Sequence, residues 1–363
     1  MIAFAVLIVG RRVSSPPLAL VGLLSVLPAL WLGLTALLGL GALLRPHRRR
    51  AAPVALLALT FGLVWGIPWT PHREPVAAPI RLMAYNVQRL AFEDSDDGAA
   101  LACVTRAVRA ADPEVLVLTE LSARDAERLS AALDFDCLQA DYTGSGDARH
   151  GGLGVCIDRR RWVFARRAAR RFTDERAWYY LFTEVVERTA PAEGPAQSQG
   201  GLAGPEAPDG WGDPPDIAPG QRVFNVLASH LHPYRLDTRL SLDALLDPRP
   251  TAVTTAQRQE AAALLRQVEG LRDPTILAGD FNSARDTALH LGLRRVMRDA
   301  HDVAAWGPDW TVRAAGRLPL KVDYIYATPD IAVADANVGD ADCSDHRPIT
   351  ATVGLPAPSA RGR

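Results

Sequence analysis

A set of polar residues stands at the ends of apolar runs, and these carry the chemistry the chain can do. Asn86 closes the run 80–87, Glu120 follows Val115-Leu116-Val117-Leu118-Thr119, and His230 ends a run that starts at Arg222. Asp280 and Asn282 follow Thr275-Ile276-Leu277, Asp323 lies in Lys321-Val322-Asp323-Tyr324-Ile325, and Asp345 and His346 lie in Ser344-Asp345-His346-Arg347-Pro348. Singly, each reads as a turn-forming residue or a structural histidine. Together they suggest carboxylates gathered at one rim, which would raise one another's pKa unless a cation neutralised them. Oxygen donors without cysteine favour a hard ion, magnesium first and manganese or calcium as substitutes. Histidines beside such an ion suit proton transfer and the stabilisation of anionic oxygen, as phosphoester hydrolysis requires. Asp280 and Asn282 are two apart, so extended backbone would turn both heads to one side. His232 lies two residues beyond His230 and competes with it for the same position.

The elements that must position these groups alternate along the chain. Strands are expected at 80–87, 115–120, 151–157, 178–186, 222–231, 321–326 and 349–353. Helices are expected at 98–111, at 123–133 with Ser122 as N-cap, at 287–293, and at 255–271 through Ala262, Leu265 and Val268. This order argues for α/β layering with strand ends gathered at one rim. Residues 189–220, rich in Pro, Gly and Ala, read as a disordered insertion. The stretch from Arg159 to Arg171 interleaves arginine with Trp162 and Phe164. It could grip phosphate through Arg159 and Arg161, or it could be an edge strand protected by its charge.

The totals limit the options. Lys and Arg number 40 against 41 Asp and Glu, for a formal charge of -1, so no global field draws the chain to polyanions. The four cysteines show no C-x-x-C spacing, which argues against zinc. They could form one or two disulfides outside the cytoplasm, with the pairing open. No P-loop, nucleophile elbow or dinucleotide fingerprint occurs.

The first part of the chain has a different character. Residues 18–44 are almost wholly apolar and 51–69 are nearly so, each long enough to cross a bilayer core of roughly 20 residues. Arg45 and Arg48-Arg49-Arg50 between them place that loop in the cytoplasm by the positive-inside rule. The expectation is a multi-pass cell-membrane anchor over 1–69, a stiff proline-containing linker over 70–79, and an extracytoplasmic domain over 80–356 followed by a tail at 357–363.

The ordered motifs, Tyr85-Asn86-Val87-Gln88, Leu118-Thr119-Glu120-Leu121, Gly152-Leu153-Gly154-Val155, Ser229-His230-Leu231, Gly279-Asp280-Phe281-Asn282, Lys321 to Ile325 and Ser344 to Pro348, resemble those of the endonuclease/exonuclease/phosphatase superfamily over about residues 80–355. The resemblance implies a four-layer sandwich, two mixed β-sheets flanked by helices, here behind a transmembrane hairpin. It implies Glu120 as principal magnesium ligand with Asn86 and Asp345 nearby. Asp280 would activate or position water and Asn282 would orient it or a phosphate oxygen. His230, and His346 paired with Asp323, would bind phosphate. The implied substrate is a phosphoester, nucleic acid or phospholipid, with no obligate protein partner. The alternatives are a sphingomyelinase-type lipid phosphodiesterase and a catalytically inactive binding protein on the same fold.

Overall fold

The computed structural model describes residues 71–90, 97–141, 151–173, 176–190, 194–196, 198–199, 217–218, 220–232, 252–271, 273–283, 287–306, 309–314, 318–340 and 343–357. Strands buried on both faces read as near-continuous apolar runs, and the strands here are of that kind. In β1 (Pro79–Asn86), Ile80, Leu82 and Ala84 enter one core while Met83 and Tyr85 enter another. In β2 (Val115–Thr119), Val115 and Val117 join the first core, and Leu116 and Leu118 the second.

One mixed sheet has the order β14-β15-β1-β2-β4-β3-β7. Its other members are β3 (Phe135–Asp141), β4 (Gly152–Asp158), β7 (Ser198–Gln199), β14 (Ala332–Val338) and β15 (Ile349–Gly354). The second sheet has the order β10-β13-β9-β8-β6-β5. It comprises β5 (Trp162–Thr173), β6 (Arg176–Glu187), β8 (Val223–His230), β9 (Thr275–Asp280), β10 (Arg298–Asp299) and β13 (Asp323–Ala327). A small hairpin joins β11 (Val312–Ala314) to β12 (Leu318–Leu320).

Three cores define the layering. Ile80, Val117, Val155, Phe224, Val226, Ile276 and Ile325 fill the space between the sheets. Helices α1 (Asp97–Ala111) and α2 (Ala123–Leu133) cover the outer face of the first sheet through Val104, Val108 and Leu129. Helices α3 (Ala252–Gly270) and α4 (Ala288–Val296) cover the second through Leu264, Val268, Leu289 and Leu293. A short α5 (Ala300–Ala304) adds Ala300 and Ala304 to the inter-sheet core. Helix α2 begins as expected, with the Ser122 hydroxyl accepting from the Asp125 N–H.

Several expectations need correction. The inward stripe of α3 is Ala256, Glu260, Leu264 and Val268, whereas Ala262 is exposed. A carboxylate occupies a core-facing position, so apolar periodicity alone finds the wrong face. Strands β3 and β14 were not foreseen. Within 189–220, Ser198–Gln199 pairs in parallel with β3, and most of the rest of that stretch lies outside the described residues. Residues 71–78 form no free spacer. The His72 N–H donates to the Val303 carbonyl at 2.6 Å, and Glu74 accepts from Arg298 at 2.7 and 3.1 Å and from the Val333 N–H at 2.7 Å. The Arg298 hydrogen bond holds the Glu74 carboxyl below its usual range. The membrane spans expected at 18–44 and 51–69 lie outside the described residues. Among the described residues no helix is long and apolar enough to cross a membrane.

The four cysteines form two disulfides. Cys137–Cys156 links β3 to β4, and Cys103–Cys343 ties α1 to the segment just before Ser344.

Candidate active site

Parallel and antiparallel registers bring the expected residues to one rim. His230 and Asp280 are register partners in β8 and β9, and Asp280 and Asp323 are partners in β9 and β13. On the other sheet, Asn86 ends β1 opposite Thr119, so Glu120 follows immediately at the same end. Backbone turns then aim the side chains. Glu120 has φ 58 and Asn282 φ 44, a conformation that costs a side-chain-bearing residue energy and is characteristic of functional sites. Gly279 has φ 135, and a Cβ there would lie 2.0 Å from the Ser229 carbonyl oxygen, so only glycine lets β9 pass β8 this closely.

Asp280 is the centre of the arrangement and is almost fully buried. Its Oδ2 accepts from the Asn86 amide at 3.1 Å and lies 3.5 Å from His230 Nε2 and 3.7 Å from His346 Nε2. Its Oδ1 accepts the Asn282 N–H at 2.7 Å. Asp280 and Asn282 are therefore joined by an Asx turn and not by strand alternation. The Asn282 amide donates to the Leu231 carbonyl at 2.9 Å and meets His230 Nε2 at 2.8 Å. Asn86 also donates to Glu120 Oε1 at 3.1 Å, so one amide links a carboxylate from each sheet.

His346 Nδ1 lies 2.8 Å from Asp323 Oδ2. The backbone N–H groups of Val322 and Asp323 donate to the Thr311 hydroxyl at 3.0 and 3.1 Å, and the Arg347 N–H donates to the Thr311 carbonyl at 2.6 Å, so Thr311 holds the two motifs together. Asp345 is exposed at the edge, with Oδ1 3.3 Å from the Ser344 hydroxyl.

The charges are set by burial and by neighbours. Burial and the adjacent Asp323 push the Asp280 carboxyl up, opposed by His346, His230 and the Asn282 N–H. Burial, aided by His346 and His232 and opposed by Asp280, drives His230 down to about 4, so it is neutral at pH 7. Burial works against charge on His346 as well, but the carboxylates of Asp323, Asp280 and Asp345 override it and raise it to about 10. One histidine is thus neutral and the other an imidazolium on the same rim.

The donor set fits a hard divalent cation. Glu120 offers carboxylate oxygens beside Asn86, whose Nδ2 faces Glu120 while its Oδ1, the atom that would meet a cation, accepts the Gln88 N–H at 3.0 Å, and every cysteine is committed to a disulfide. Ligand atoms of Asp280, Asp323 and His346 also fall within 4.8 Å of one another, although Asp323 and His346 already satisfy each other there.

Arg159 and Arg161 do not join this rim. They follow β4, which runs antiparallel to β2 and carries them to the opposite end of the sheet. Arg159 is buried beside Asp134 and Asp136 at 3.4 and 3.8 Å, and Arg161 pairs with Glu114 and, at 3.7 Å, with Glu187. They tie the base together, and β5 is the charged edge strand that was the alternative reading.

Two residues absent from the sequence reading belong to the site's support. Gln257 donates to the carbonyls of His232 and Asn282 at 3.2 and 2.9 Å, and Glu260 accepts from the His232 N–H at 2.9 Å. The available signal was Glu260 itself, a carboxylate in step with Ala256, Leu264 and Val268.

The family model described as Endonuclease/Exonuclease/phosphatase family matches residues 83–346. No curated protein matches the chain. Among solved structures, the endonuclease/exonuclease/phosphatase from Bacteroides vulgatus is 16% identical, with TM-score 0.56, covering 77% of this chain and 100% of its own. Humanized D. rerio TDP2 is 15% identical, with TM-score 0.53, covering 77% of this chain and 100% of its own. The mannosyl-6-phosphatase Bt3783 of Bacteroides thetaiotaomicron VPI-5482 is 13% identical, with TM-score 0.52, covering 76% of this chain and 100% of its own. At these identities the neighbours show the fold, while the family model spans most of the chain and ends on His346 itself; the chain belongs to the endonuclease/exonuclease/phosphatase family.

Proposed function

We propose that this chain is a metal-dependent hydrolase of phosphodiester or phosphomonoester bonds that attacks phosphorus in line with water and forms no covalent enzyme intermediate. The observation that carries the reading is Asp280, a buried carboxylate reached at 3.1 Å by Asn86, at 3.5 Å by His230 and at 3.7 Å by His346. Such a group holds a water and takes its proton, since burial and Asp323 have already raised its basicity. Asn282 and the neutral His230, in contact with each other, orient that water or a phosphate oxygen. The His346 imidazolium, backed by Asp323, faces the negative charge that grows on phosphoryl oxygens. Glu120, Asn86 and Asp345 would hold the cation, which when bound supplies the positive charge that brings an anionic substrate to an acidic rim.

The finer substrate is part of the proposal. One fold neighbour is named a phosphatase, and another, D. rerio TDP2, is seen with a single-strand DNA product, so both ester classes are consistent with this scaffold. The arginine stripe lends no support to a nuclease, because it lies at the far end. The proposed location is the outer side of a membrane, anchored by residues 1–69, and the two disulfides support an oxidising compartment.

The test uses the full chain in detergent with DNA, RNA, nitrophenyl phosphoesters and phospholipid vesicles, in magnesium and in chelator. At least one phosphoester is turned over only with the metal, and Glu120→Ala lowers kcat/KM at least ~100-fold. Chelator-insensitive hydrolysis, or full activity in Glu120→Ala, rejects the reading.

A further inference from the structure

Asp309 stands two residues before Thr311, which holds the Asp323 and His346 motifs together, and it meets the first turn of α5. One ligand atom each from His301, Asp302 and Asp309 lies within 4.8 Å of the other two, and this group shares no residue with Asp280, Asp323 and His346. Donors about 2.0–2.2 Å from one zinc ion stand about 3.4 Å apart in a tetrahedron, so the three atoms would close by at most about 1.5 Å. The side chains of Asp302 and Asp309 are 24% and 12% exposed, which leaves them room to do so.

His301 is what sets this group apart from an ordinary acidic cluster. It is only 8% exposed, and its Nδ1 is buried with no hydrogen-bond partner. A buried polar atom left in that way costs free energy that a ligand would recover. The backbone holds the residue in place, with its N–H donating to Asp299 Oδ1 and its carbonyl accepting the Ala305 N–H, both at 3.0 Å. Burial and then Lys321 hold the imidazole below its ordinary pKa, against the opposing pull of Asp309, Asp299 and Asp302. The ring is therefore favoured in its neutral form, which is the form that ligates.

Cationic groups already stand nearby. Lys321 Nζ lies 2.7 Å from Asp299 and 3.7 Å from Asp309, and Arg294 lies 3.6 Å from Asp302. A carboxylate offers two oxygens and about four lone-pair sites, so Asp302 and Asp309 can keep these pairs and still ligate. Among these groups three carboxylates face one ammonium and one guanidinium, which leaves negative charge for a dication. One imidazole with two carboxylates suits zinc or a similar transition metal, whereas magnesium and calcium take oxygen donors.

We propose that His301, Asp302 and Asp309 form a metal site for zinc or a similar transition-metal dication, separate from the acidic rim, that clamps the chain before Thr311 to α5. Water completes the coordination. The ion's role is structural: it steadies the segment from which Thr311 receives the N–H groups of Val322 and Asp323.

The test is a binding measurement on the full chain in detergent, with zinc as the probe and excess magnesium present to compete at oxygen-only sites. Wild type, His301→Gln, Asp309→Asn and Glu120→Ala are titrated calorimetrically, and each is melted with and without zinc. Wild type and Glu120→Ala are expected to bind one zinc that His301→Gln and Asp309→Asn bind at least ~10-fold more weakly. Zinc should raise the melting temperature of the first two chains and not of the other two. Cobalt(II) in place of zinc should give visible ligand-field bands that His301→Gln weakens or shifts. Asp302→Asn, on the more exposed ligand, gives the same comparison should His301→Gln fail to fold. Equal zinc affinity and stoichiometry in every chain, or zinc binding lost only in Glu120→Ala, overturns the site. These readouts need no turnover, so the outcome is independent of the phosphoesterase reading.

Discussion

At the scale of single residues, the candidate site holds two histidines in opposite charge states a few ångströms from one carboxylate. Neutral His230 is a consequence of burial and carries a stability signature. Its folded value of about 4 lies below the ~6.5 of an unfolded histidine. Between these values the unfolded chain binds a proton that the folded chain rejects. Stability from this group is therefore complete above about pH 6.5, falls as the pH drops to about 4, and levels off below that. For metal-free protein in chelator, urea denaturation should show wild type losing roughly 3 kcal/mol more than His230→Asn between pH 7 and 4. A difference between the two proteins that stays constant across that range would contradict the neutral assignment. His346 has the opposite sign: its folded value of about 10 makes its contribution complete below about 6.5 and lost as the pH rises through about 10.

At the scale of elements, the rim depends on loops tied down from behind. The Cys103–Cys343 bridge fastens the segment carrying Ser344, Asp345 and His346 to α1, whereas Cys137–Cys156 joins two neighbouring strands far from any site residue in sequence. The paired variant Cys103→Ser/Cys343→Ser should lose ~10-fold or more in kcat through misplacement of His346, and the variant lacking Cys137–Cys156 should lose stability, by ~2–5 kcal/mol, but little kcat. Equal kcat in the two variants, measured below their melting temperatures, would show that the first bridge does not position the rim. Strands such as β1 and β2 were legible because both faces are buried and their apolar runs end on Asn86 and just before Glu120. The face of α3 was not, because Glu260 occupies a core position for the sake of His232. Likewise the Asx turn at Asp280 could not be told from strand alternation, since both place the same residues together. Arg159 and Arg161 were misplaced because local charge says nothing about which end of a strand it decorates, and only the antiparallel pairing of β4 with β2 reveals that.

At the scale of the whole molecule, the base of the sandwich is where the chain enters, and this bears on substrate. Arg161 and Arg222 donate to the carbonyls of Pro79 and Ala78 at 3.3 and 3.1 Å, and His72 and Glu74 are already bonded to Val303, Val333 and Arg298. With β1 eight residues long and about 3.3 Å per residue, the rim that carries Asp280 stands roughly 23 Å from that base. In the proposed anchoring, the second span ends at residue 69, and among the described residues the first clamp to the domain is at His72, which leaves almost no slack. The rim then points away from the host bilayer, and lipids of that bilayer do not reach Asp280. The full chain reconstituted in phospholipid vesicles should therefore hydrolyse a soluble phosphoester while leaving host phospholipid phosphate intact. The variant Glu74→Ala/Arg298→Ala, which loosens the clamp, should be the more able of the two to attack host lipid. Faster turnover of host phospholipid than of any soluble ester by the wild type would instead place the rim at the membrane surface, and would make the lipid phosphodiesterase reading the better one.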